Sequence, residues 1–218
     1  MISTRDLSAL PDLDGFRQLT QALAMLDAII SPDWEHRYYS FNSSWAPGEM
    51  MAAMRNGSGD YWFAILCSTG VALHGLAHEA PIFQPGKPWP GVFDSLPIEF
   101  RDNFLHEPAF LTNDSTFCIW RLREDHRWRC GSVDLPPLHD ADGSEALLSI
   151  LAGHVPDYVQ FAHNYYEIEI APRDVSAVYR HDQLTEALVR RLNPQVDLQS
   201  LADDMTQIGY PGPTHPSP

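Results

Sequence analysis

Two short apolar runs separated by three residues constrain the fold of this chain most. The runs YWFAILC (61–67) and VALHGLA (71–77) are rich in aromatic and branched residues, and Ser68, Thr69 and Gly70 lie between them. Short apolar runs joined by a turn that contains glycine are typical of a β-hairpin. Farther along, STFCIWRLR and RWRCGSVDL flank residues 124–126 and predict a second hairpin. An antiparallel sheet is therefore expected.

Helical patterns precede and follow these hairpins. In DGFRQLTQALAMLDAIIS the apolar residues recur every three or four positions, which predicts an amphipathic helix with Asp14 as its N-cap. In RYYSFN (37–42) aromatic and polar residues alternate, which predicts a strand. APGEMMAAMRNGSGD predicts a helix that begins near Pro47 and ends at Gly57 and Gly59. Beyond Asp142, helices are predicted in SEALLSILAG, PDYVQFAHNYYE, LTEALVRRLN and LQSLADDMTQIG.

These patterns predict an α+β fold. The antiparallel β-sheet forms mainly from the first two-thirds of the chain and packs against helices that include a helical C-terminal third. We expect a single domain over residues 1–208 and a disordered tail over 209–218. Residues 81–97 are rich in proline and predict either a lid or a packed loop, followed by a short helix through Phe100 and Phe104.

Composition and charge exclude several classes of function. The chain has 14 Lys and Arg against 29 Asp and Glu, a formal net charge of -15, which repels nucleic-acid phosphates and favours a basic protein partner. No apolar run approaches the roughly 20 residues that span a membrane. The first residues lack a secretory pattern, and the three cysteines form no CxxC pair. We therefore expect a cytoplasmic protein, with no membrane partner.

The stretch HGLAHE resembles a metal-binding motif, because His74 and His78 are four residues apart. It lies in the second strand of the first hairpin, however, where residues four apart are separated by roughly 13 Å. One zinc ion cannot hold both imidazoles at that spacing unless Gly75 introduces a bulge. We expect no metal and no cofactor. His74 should be a partly buried, hydrogen-bonded strand residue, and His78 should lie nearer to solvent.

Other motifs favour structural roles. HDADGSE lacks the spacing of a calcium loop, and its Asp142 and Glu145 predict a capping box. RNGSGDYW has no phosphate-loop signature. No nucleophile with its base is evident. In the second hairpin, strand alternation predicts a basic face and an opposite apolar face. The basic face would hold Arg121, Arg123, Arg127 and Arg129, and the apolar face Trp120, Leu122, Trp128 and Cys130.

The central block of the chain resembles a conserved bacterial protein family without an assigned function. The similar segments are YYSFNSSWAPGEMMAAMRNGSGDYWFAILCSTGVALHGLAHEAP, KPWPGVFDSLP and TFCIW, and the resemblance extends from Tyr38 to about Tyr210. It implies a bacterial, intracellular protein of a kind that occurs near toxin and immunity genes. It implies no catalytic mechanism.

Two hypotheses on function follow. The first is a non-enzymatic cytosolic binding protein, such as an immunity-type inhibitor of a basic protein toxin, since the chain is acidic and carries no catalytic signature. The alternative is a small-molecule-binding protein or an enzyme that uses a cleft between the sheet and the helix from Pro47. Its candidate residues combine an imidazole, carboxylates and an aromatic wall. They are Trp45, Glu49, Arg55, Asp60, His78 and Glu79.

Overall fold

A single antiparallel sheet forms the centre of the molecule. The computed structural model describes residues 2–211, except for the side chain of Asn103. In that part of the chain six strands lie in sequence order, each antiparallel to the next. They are β1 (Tyr39–Ala46), β2 (Glu49–Arg55), β3 (Tyr61–Cys67), β4 (Gly70–Leu76), β5 (Phe117–Leu122) and β6 (Arg129–Cys130). Both predicted hairpins are confirmed, as β3–β4 and β5–β6.

Seven α-helices lie within residues 2–211 and complete the α+β fold that was predicted. They are α1 (Leu13–Ile30), α2 (Ile98–Leu105), α3 (Ser144–Leu148), α4 (Val155–Tyr166), α5 (Pro172–Tyr179), α6 (Glu186–Leu192) and α7 (Leu198–Ile208). Short 3-10 helices occupy Trp34–His36, Pro108–Phe110, Thr112–Asp114 and Ser149–Ala152. No helix among the described residues has both the length and the apolar character needed to cross a membrane.

The segment predicted as a helix from Pro47 is strand β2, so that prediction is wrong. Pro47 and Gly48 form a two-residue turn between β1 and β2, and the φ of Gly48 is 79°. Proline followed by a glycine with positive φ is typical of a type II turn. The helix-forming residues of β2 are held extended because β1 and β3 pair with it on both sides. Gly57 and Gly59 belong to the next hairpin turn instead of a helix end.

The sheet is covered on both faces. On one face Trp62, Leu73 and Phe117 pack in a core with residues of α1 and of the C-terminal helices. On the other face the proline-rich segment and α2 cover Phe63 and Trp120. Ile82, Val92 and Leu96 of residues 81–97 are buried, which makes this segment a packed loop.

The predicted basic face of the second hairpin is wrong. Trp120 is paired with Arg129, and Ile119 is paired with Cys130. Residues directly opposite each other share a face of the sheet, so Arg129 lies on the side of Trp120, away from Arg121. Strand alternation alone could not give this result because the register depends on the turn.

Both predicted helix caps are displaced. Helix α1 is capped by Asp12, whose side chain accepts a hydrogen bond from the backbone N of Gly15 at 2.8 Å, and not by Asp14. At α3, the Asp140 carboxylate accepts from the backbone N atoms of Glu145 and Ala146 at 2.8 and 3.0 Å. The Asp142 carboxylate binds Ser144 instead, so the predicted capping box is wrong.

The C-terminal boundary lies later than predicted. Tyr210 is buried, and its hydroxyl group donates hydrogen bonds to the carbonyl oxygens of Val178 and Asp182. The fold therefore continues past residue 208. Residues 212–218 of the predicted tail lie outside the described part of the chain.

Candidate functional site

The six candidate residues do not line one cleft. Strand β2 begins at Glu49 and ends at Arg55, which separates its ends by roughly 20 Å at about 3.3 Å per residue. Trp45 and Glu49 lie at one end of the sheet, whereas Arg55, Asp60, His78 and Glu79 lie at the other end. The predicted cleft depended on a helix from Pro47 that does not form.

Of the six, Asp60 and His78 form a direct pair. The Asp60 Oδ1 atom accepts hydrogen bonds from the His78 backbone N at 2.8 Å and from His78 Nδ1 at 2.7 Å. The Asp60 Oδ2 atom accepts from Asn56 Nδ2 at 2.6 Å. The Asn56 Oδ1 atom in turn accepts from the backbone N atoms of Ser58 and Asp60. The turn between β2 and β3 thus holds the carboxylate in place. Sequence reasoning missed Asn56, although its position four residues before Asp60 in a glycine-rich turn was a usable signal.

The pair leaves one ring nitrogen of His78 for other chemistry. Because Nδ1 is bonded to Asp60, Nε2 is the atom that can exchange a proton or a hydrogen bond with a ligand. The His78 side chain is 37% exposed. The hydrogen bond that His78 donates to the Asp60 carboxylate raises the pKa of His78 above its usual value. A Cβ atom at Gly59 would lie 3.3 Å from His78 Cγ, so glycine leaves room for the ring.

The other candidates have separate surroundings. The Arg55 guanidinium lies 5.0 Å from the ring centroid of Phe63 and 5.9 Å from that of Trp34, within the range of cation–π contacts. The Trp45 ring packs on Phe110, and with Glu49 it borders a groove of about 280 Å³. Glu79 is exposed beside the Asp60–His78 pair.

His74 is more buried than predicted. It has no exposed surface, and its Nδ1 atom lies 2.8 Å from Ser115 Oγ. Since Ser115 donates its own proton to the Thr112 carbonyl oxygen, His74 Nδ1 is the donor of this contact. The Nε2 atom has no hydrogen-bond partner among residues 2–211 and is surrounded by aromatic rings such as those of Phe104 and Phe110. Burial lowers the pKa of His74 to about 3.

The predicted solvent exposure of His78 relative to His74 is confirmed. Within residues 2–211, no group of three or more His, Cys, Asp and Glu side chains is placed to hold a metal ion. The absence of bound zinc remains a prediction.

A second candidate region lies on and after helix α2, which covers the face of the sheet that contains Phe63 and Trp120. Its large apolar side chains are unusually exposed: Ile98 by 70%, Leu105 by 40% and Leu111 by 54%. Phe104 and Phe110, which precede the two leucines, contact each other with ring centroids 5.5 Å apart. Acidic side chains lie between these apolar ones along the chain, together with Arg101 and with His106, whose Nδ1 atom lies 3.7 Å from the Asp102 carboxylate. We define the α2 surface as Ile98, Glu99, Asp102, Leu105, Glu107 and Leu111.

Leu111 has an unusual backbone conformation. Its φ of 53° and ψ of 37° lie in the left-handed region, which costs a non-glycine residue roughly 1–2 kcal/mol. Its carbonyl oxygen accepts a hydrogen bond from the Tyr61 hydroxyl group at 2.9 Å. The fold therefore holds an exposed leucine in a strained position, a combination that is found at functional sites.

The positive charge of the protein is largely used within the fold. Arg37 makes two hydrogen bonds to the Asp204 carboxylate, and Arg191 binds the buried Asp174. In the described chain, ion pairs with arginine involve six carboxylates: Asp14, Asp125, Asp174, Asp182, Asp204 and Glu186. Since the chain has 29 acidic residues, most of its negative charge is left without an arginine partner.

Comparisons of the chain with protein-family models, with curated proteins and with solved structures found no significant match.

Proposed function

We propose that this protein is a non-enzymatic binding protein for a basic protein partner and that the α2 surface is its interface. An immunity-type inhibitor of a basic toxin is the specific form that we favour. The observation that carries the proposal is the exposure of Ile98, Leu105 and Leu111 within a set of acidic side chains. A partner with an apolar centre and a basic rim would complement it.

The arrangement has the features of a protein interface. Apolar side chains that become buried supply most of the affinity, and polar residues around them exclude water. Ile98, Asp102 and Leu105 follow one another at helical spacing and share one face of α2. Leu111, in the short segment that follows α2, is a third exposed apolar side chain. Glu99 and Glu107 complete the acidic rim.

The charge of the whole molecule favours the same class of partner. A net charge of -15 attracts a basic protein over a distance and accelerates its association at low ionic strength. The three cysteines at positions 67, 118 and 130 are free thiols. Free thiols are usual in a reducing compartment, which supports a cytoplasmic location.

The test compares interface variants against a purified partner. Basic proteins that the wild-type protein retains at low salt are first purified one by one. The dissociation constant of each is then measured with wild type, with the triple variant Ile98→Asn/Leu105→Asn/Leu111→Asn and with Leu138→Asn. Leu138 is the matched control because it is 50% exposed outside the α2 surface. We expect the triple variant to weaken binding at least 100-fold, since two or more anchors contribute about 2 kcal/mol each or more.

The result that contradicts the proposal is equal binding by the triple variant and wild type for every basic partner. A binding loss that Leu138→Asn reproduces contradicts it as well. If the triple variant does not fold, Glu99→Gln/Asp102→Asn provides the second test, because removal of rim charge should slow association and reduce its dependence on salt.

The Asp60–His78 pair supports a second candidate function, small-molecule binding or proton transfer at His78 Nε2. An imidazole oriented by a carboxylate is a frequent general base. Hydrolysis of esters and amides, screened with wild type and His78→Ala, tests it, and an activity that the variant retains would not come from this pair.

A further inference from the structure

A groove beside the Asp60–His78 pair has no role in the functions proposed above. It has a volume of about 490 Å³ and lies between α4 and residues 146–150, above strand β1. One face of α4 contributes Asp157, Gln160, Phe161, Asn164 and Tyr165, which recur every three or four residues. Tyr38 of the segment before β1 also lines the groove. The Tyr165 hydroxyl group lies 3.4 Å from the Asn56 carbonyl oxygen, which places the groove next to the turn that holds Asp60.

Three aromatic rings form one wall of this groove. The rings of Phe161 and Tyr165 are nearly parallel, with centroids 5.5 Å apart and an interplanar angle of 14°. Tyr38 meets Tyr165 edge to face at 4.8 Å and Phe161 at 4.7 Å. Tyr165 is 41% exposed. The aromatic wall is thus partly accessible from solvent at Tyr165.

The electrostatic character of the groove is negative. Asp157 lines it, and none of the described residues that line it is a lysine or an arginine. The Asp27 carboxylate lies beneath the rings, and its donors in the described part of the chain are uncharged, among them the backbone N of Tyr38 and the hydroxyl group of Tyr166. Burial, together with the charges of Asp60 and Asp27, raises the pKa of Tyr38 to about 12.

We propose that this groove binds a guanidinium or alkylammonium cation. Aromatic faces attract such cations by several tenths of a kcal/mol to about 2 kcal/mol when water is excluded, and a nearby carboxylate adds to the attraction. Anions are repelled by Asp157 and Asp27. Gln160 Nε2 donates to Asn164 Oδ1 at 2.9 Å, so the Gln160 amide oxygen and the second lone pair of Asn164 Oδ1 can accept hydrogen bonds from the cation. The cation can be a free small molecule or an arginine side chain of a protein.

This inference does not depend on the α2 surface, which lies on the other face of the sheet. Failure of the two proposals is therefore distinguishable: the α2 variants leave the groove intact, and the groove variants leave the α2 surface intact.

The experiment follows backbone and side-chain NMR signals of the full chain during titration with three probes. The probes are ethylguanidinium, a blocked Gly-Arg-Gly peptide and its Gly-citrulline-Gly counterpart, in which a neutral urea replaces the guanidinium. We expect the two cationic probes to shift the signals of Tyr38, Phe161 and Tyr165, and the citrulline peptide to leave them unchanged. Tighter binding of the arginine peptide than of ethylguanidinium identifies a protein side chain as the natural cation, and equal binding identifies a free cation.

Two variants extend this test. Tyr165→Leu keeps an apolar side chain but removes a ring, so it should weaken binding about 3- to 30-fold. Asp157→Asn should also weaken binding, whereas Asp94→Asn, which removes the same charge from the segment on the other face of the sheet, should not. The variant spectra report whether each protein is folded. Shifts with the citrulline peptide equal to those with arginine, or no shift in the groove with either cation, would overturn the proposal.

Discussion

His74 is enclosed by aromatic rings, and burial disfavours its protonated form in the folded state. Burial lowers its pKa to about 3, whereas an unfolded histidine titrates near 6.5. Between these values the unfolded chain binds the additional proton, so the contribution of His74 to stability is lost progressively as the pH falls below about 6.5. At pH 5 this contribution is lower by about 2 kcal/mol than at neutral pH.

We therefore predict that His74→Leu is less sensitive to acid than wild type. Leucine fills the aromatic box without a titratable group, and Ser115 retains its bond to the Thr112 carbonyl oxygen. Urea unfolding gives the free energy of unfolding of both proteins at pH 7.5 and at pH 5. Between these pH values, wild type should lose about 2 kcal/mol more of this free energy than the variant. A difference that is the same at both pH values would contradict the burial of a neutral imidazole.

His78 has the opposite shift, because Asp60 stabilises its protonated form. We predict that an NMR titration gives a pKa above 6.5 for His78 in the wild type and a lower pKa in Asp60→Asn. The other histidine signals of the same spectra serve as internal controls. A His78 pKa unaffected by Asp60→Asn would mean that the 2.7 Å contact does not persist in solution.

Among the elements, α1, β1 and α4 are joined by one buried carboxylate. The Asp27 Oδ2 atom accepts from the backbone N atoms of Tyr38 and Tyr39 and from the Tyr166 hydroxyl group, and Oδ1 accepts from the Tyr158 hydroxyl group. Burial raises the pKa of Asp27 to about 6, against about 3.9 in an unfolded chain. The folded state thus binds the proton more tightly. The stability that this binding adds is full below about pH 3.9 and is lost as the pH rises through about 6.

Two substitutions at Asp27 separate its hydrogen bonds from its charge. Asparagine can place its oxygen at the Oδ2 position and donate from its amide nitrogen to Tyr158, whereas alanine removes the acceptor of the Tyr39 backbone N–H and of the Tyr158 and Tyr166 hydroxyl groups. We predict that Asp27→Ala costs about 3 kcal/mol or more at pH 7 and that Asp27→Asn costs much less. In wild type, proton binding by folded Asp27 adds stability as the pH falls from 6 to 4, and this gain offsets the loss that comes from His74. Asp27→Asn lacks the gain, so its free energy of unfolding should fall more steeply than that of wild type over this range. Equal losses for the two variants in urea unfolding would contradict this account.

Leu111 has a strained backbone conformation and is also a residue of the α2 surface. Glycine adopts its left-handed conformation without a steric penalty, so Leu111→Gly should raise the free energy of unfolding by up to about 1 kcal/mol while it weakens partner binding. Leu138→Gly is a control without positive φ and should not gain stability. A loss of more than about 1 kcal/mol in Leu111→Gly would show that the leucine side chain has a packing role.

The type of an element could be predicted where the local sequence pattern determines it. It could not be predicted where pairing with neighbouring strands determines it. The β3–β4 hairpin and α1 follow from their apolar spacing. Strand β2 was missed because its methionines and alanines favour a helix in isolation, and only the Pro47–Gly48 turn signals the hairpin. The face of Arg129 was missed because the hairpin register depends on the turn. Asp60 and His78 were named from the sequence, but their contact arises from the meeting of two strand ends.

At the scale of the whole molecule, the α+β class and the excess of negative charge could be predicted from the sequence. The grouping of functional residues could not, because it depends on which sheet end or helix face each one reaches. The exposure of the α2 surface could not be predicted, since isoleucine and leucine, the residue types of Ile98, Leu105 and Leu111, usually lie in the core. Its exposure, combined with the distribution of arginine pairs, is what leads to the proposed binding of a basic protein.

The most direct test of this central claim is hydrogen–deuterium exchange of the protein alone and in complex with its purified basic partner. We predict that the partner slows exchange in residues 98–111, with little change in the exposed segment around Leu138. Slower exchange elsewhere, with residues 98–111 exchanging at the rate of the free protein, would contradict the assignment of the interface to the α2 surface.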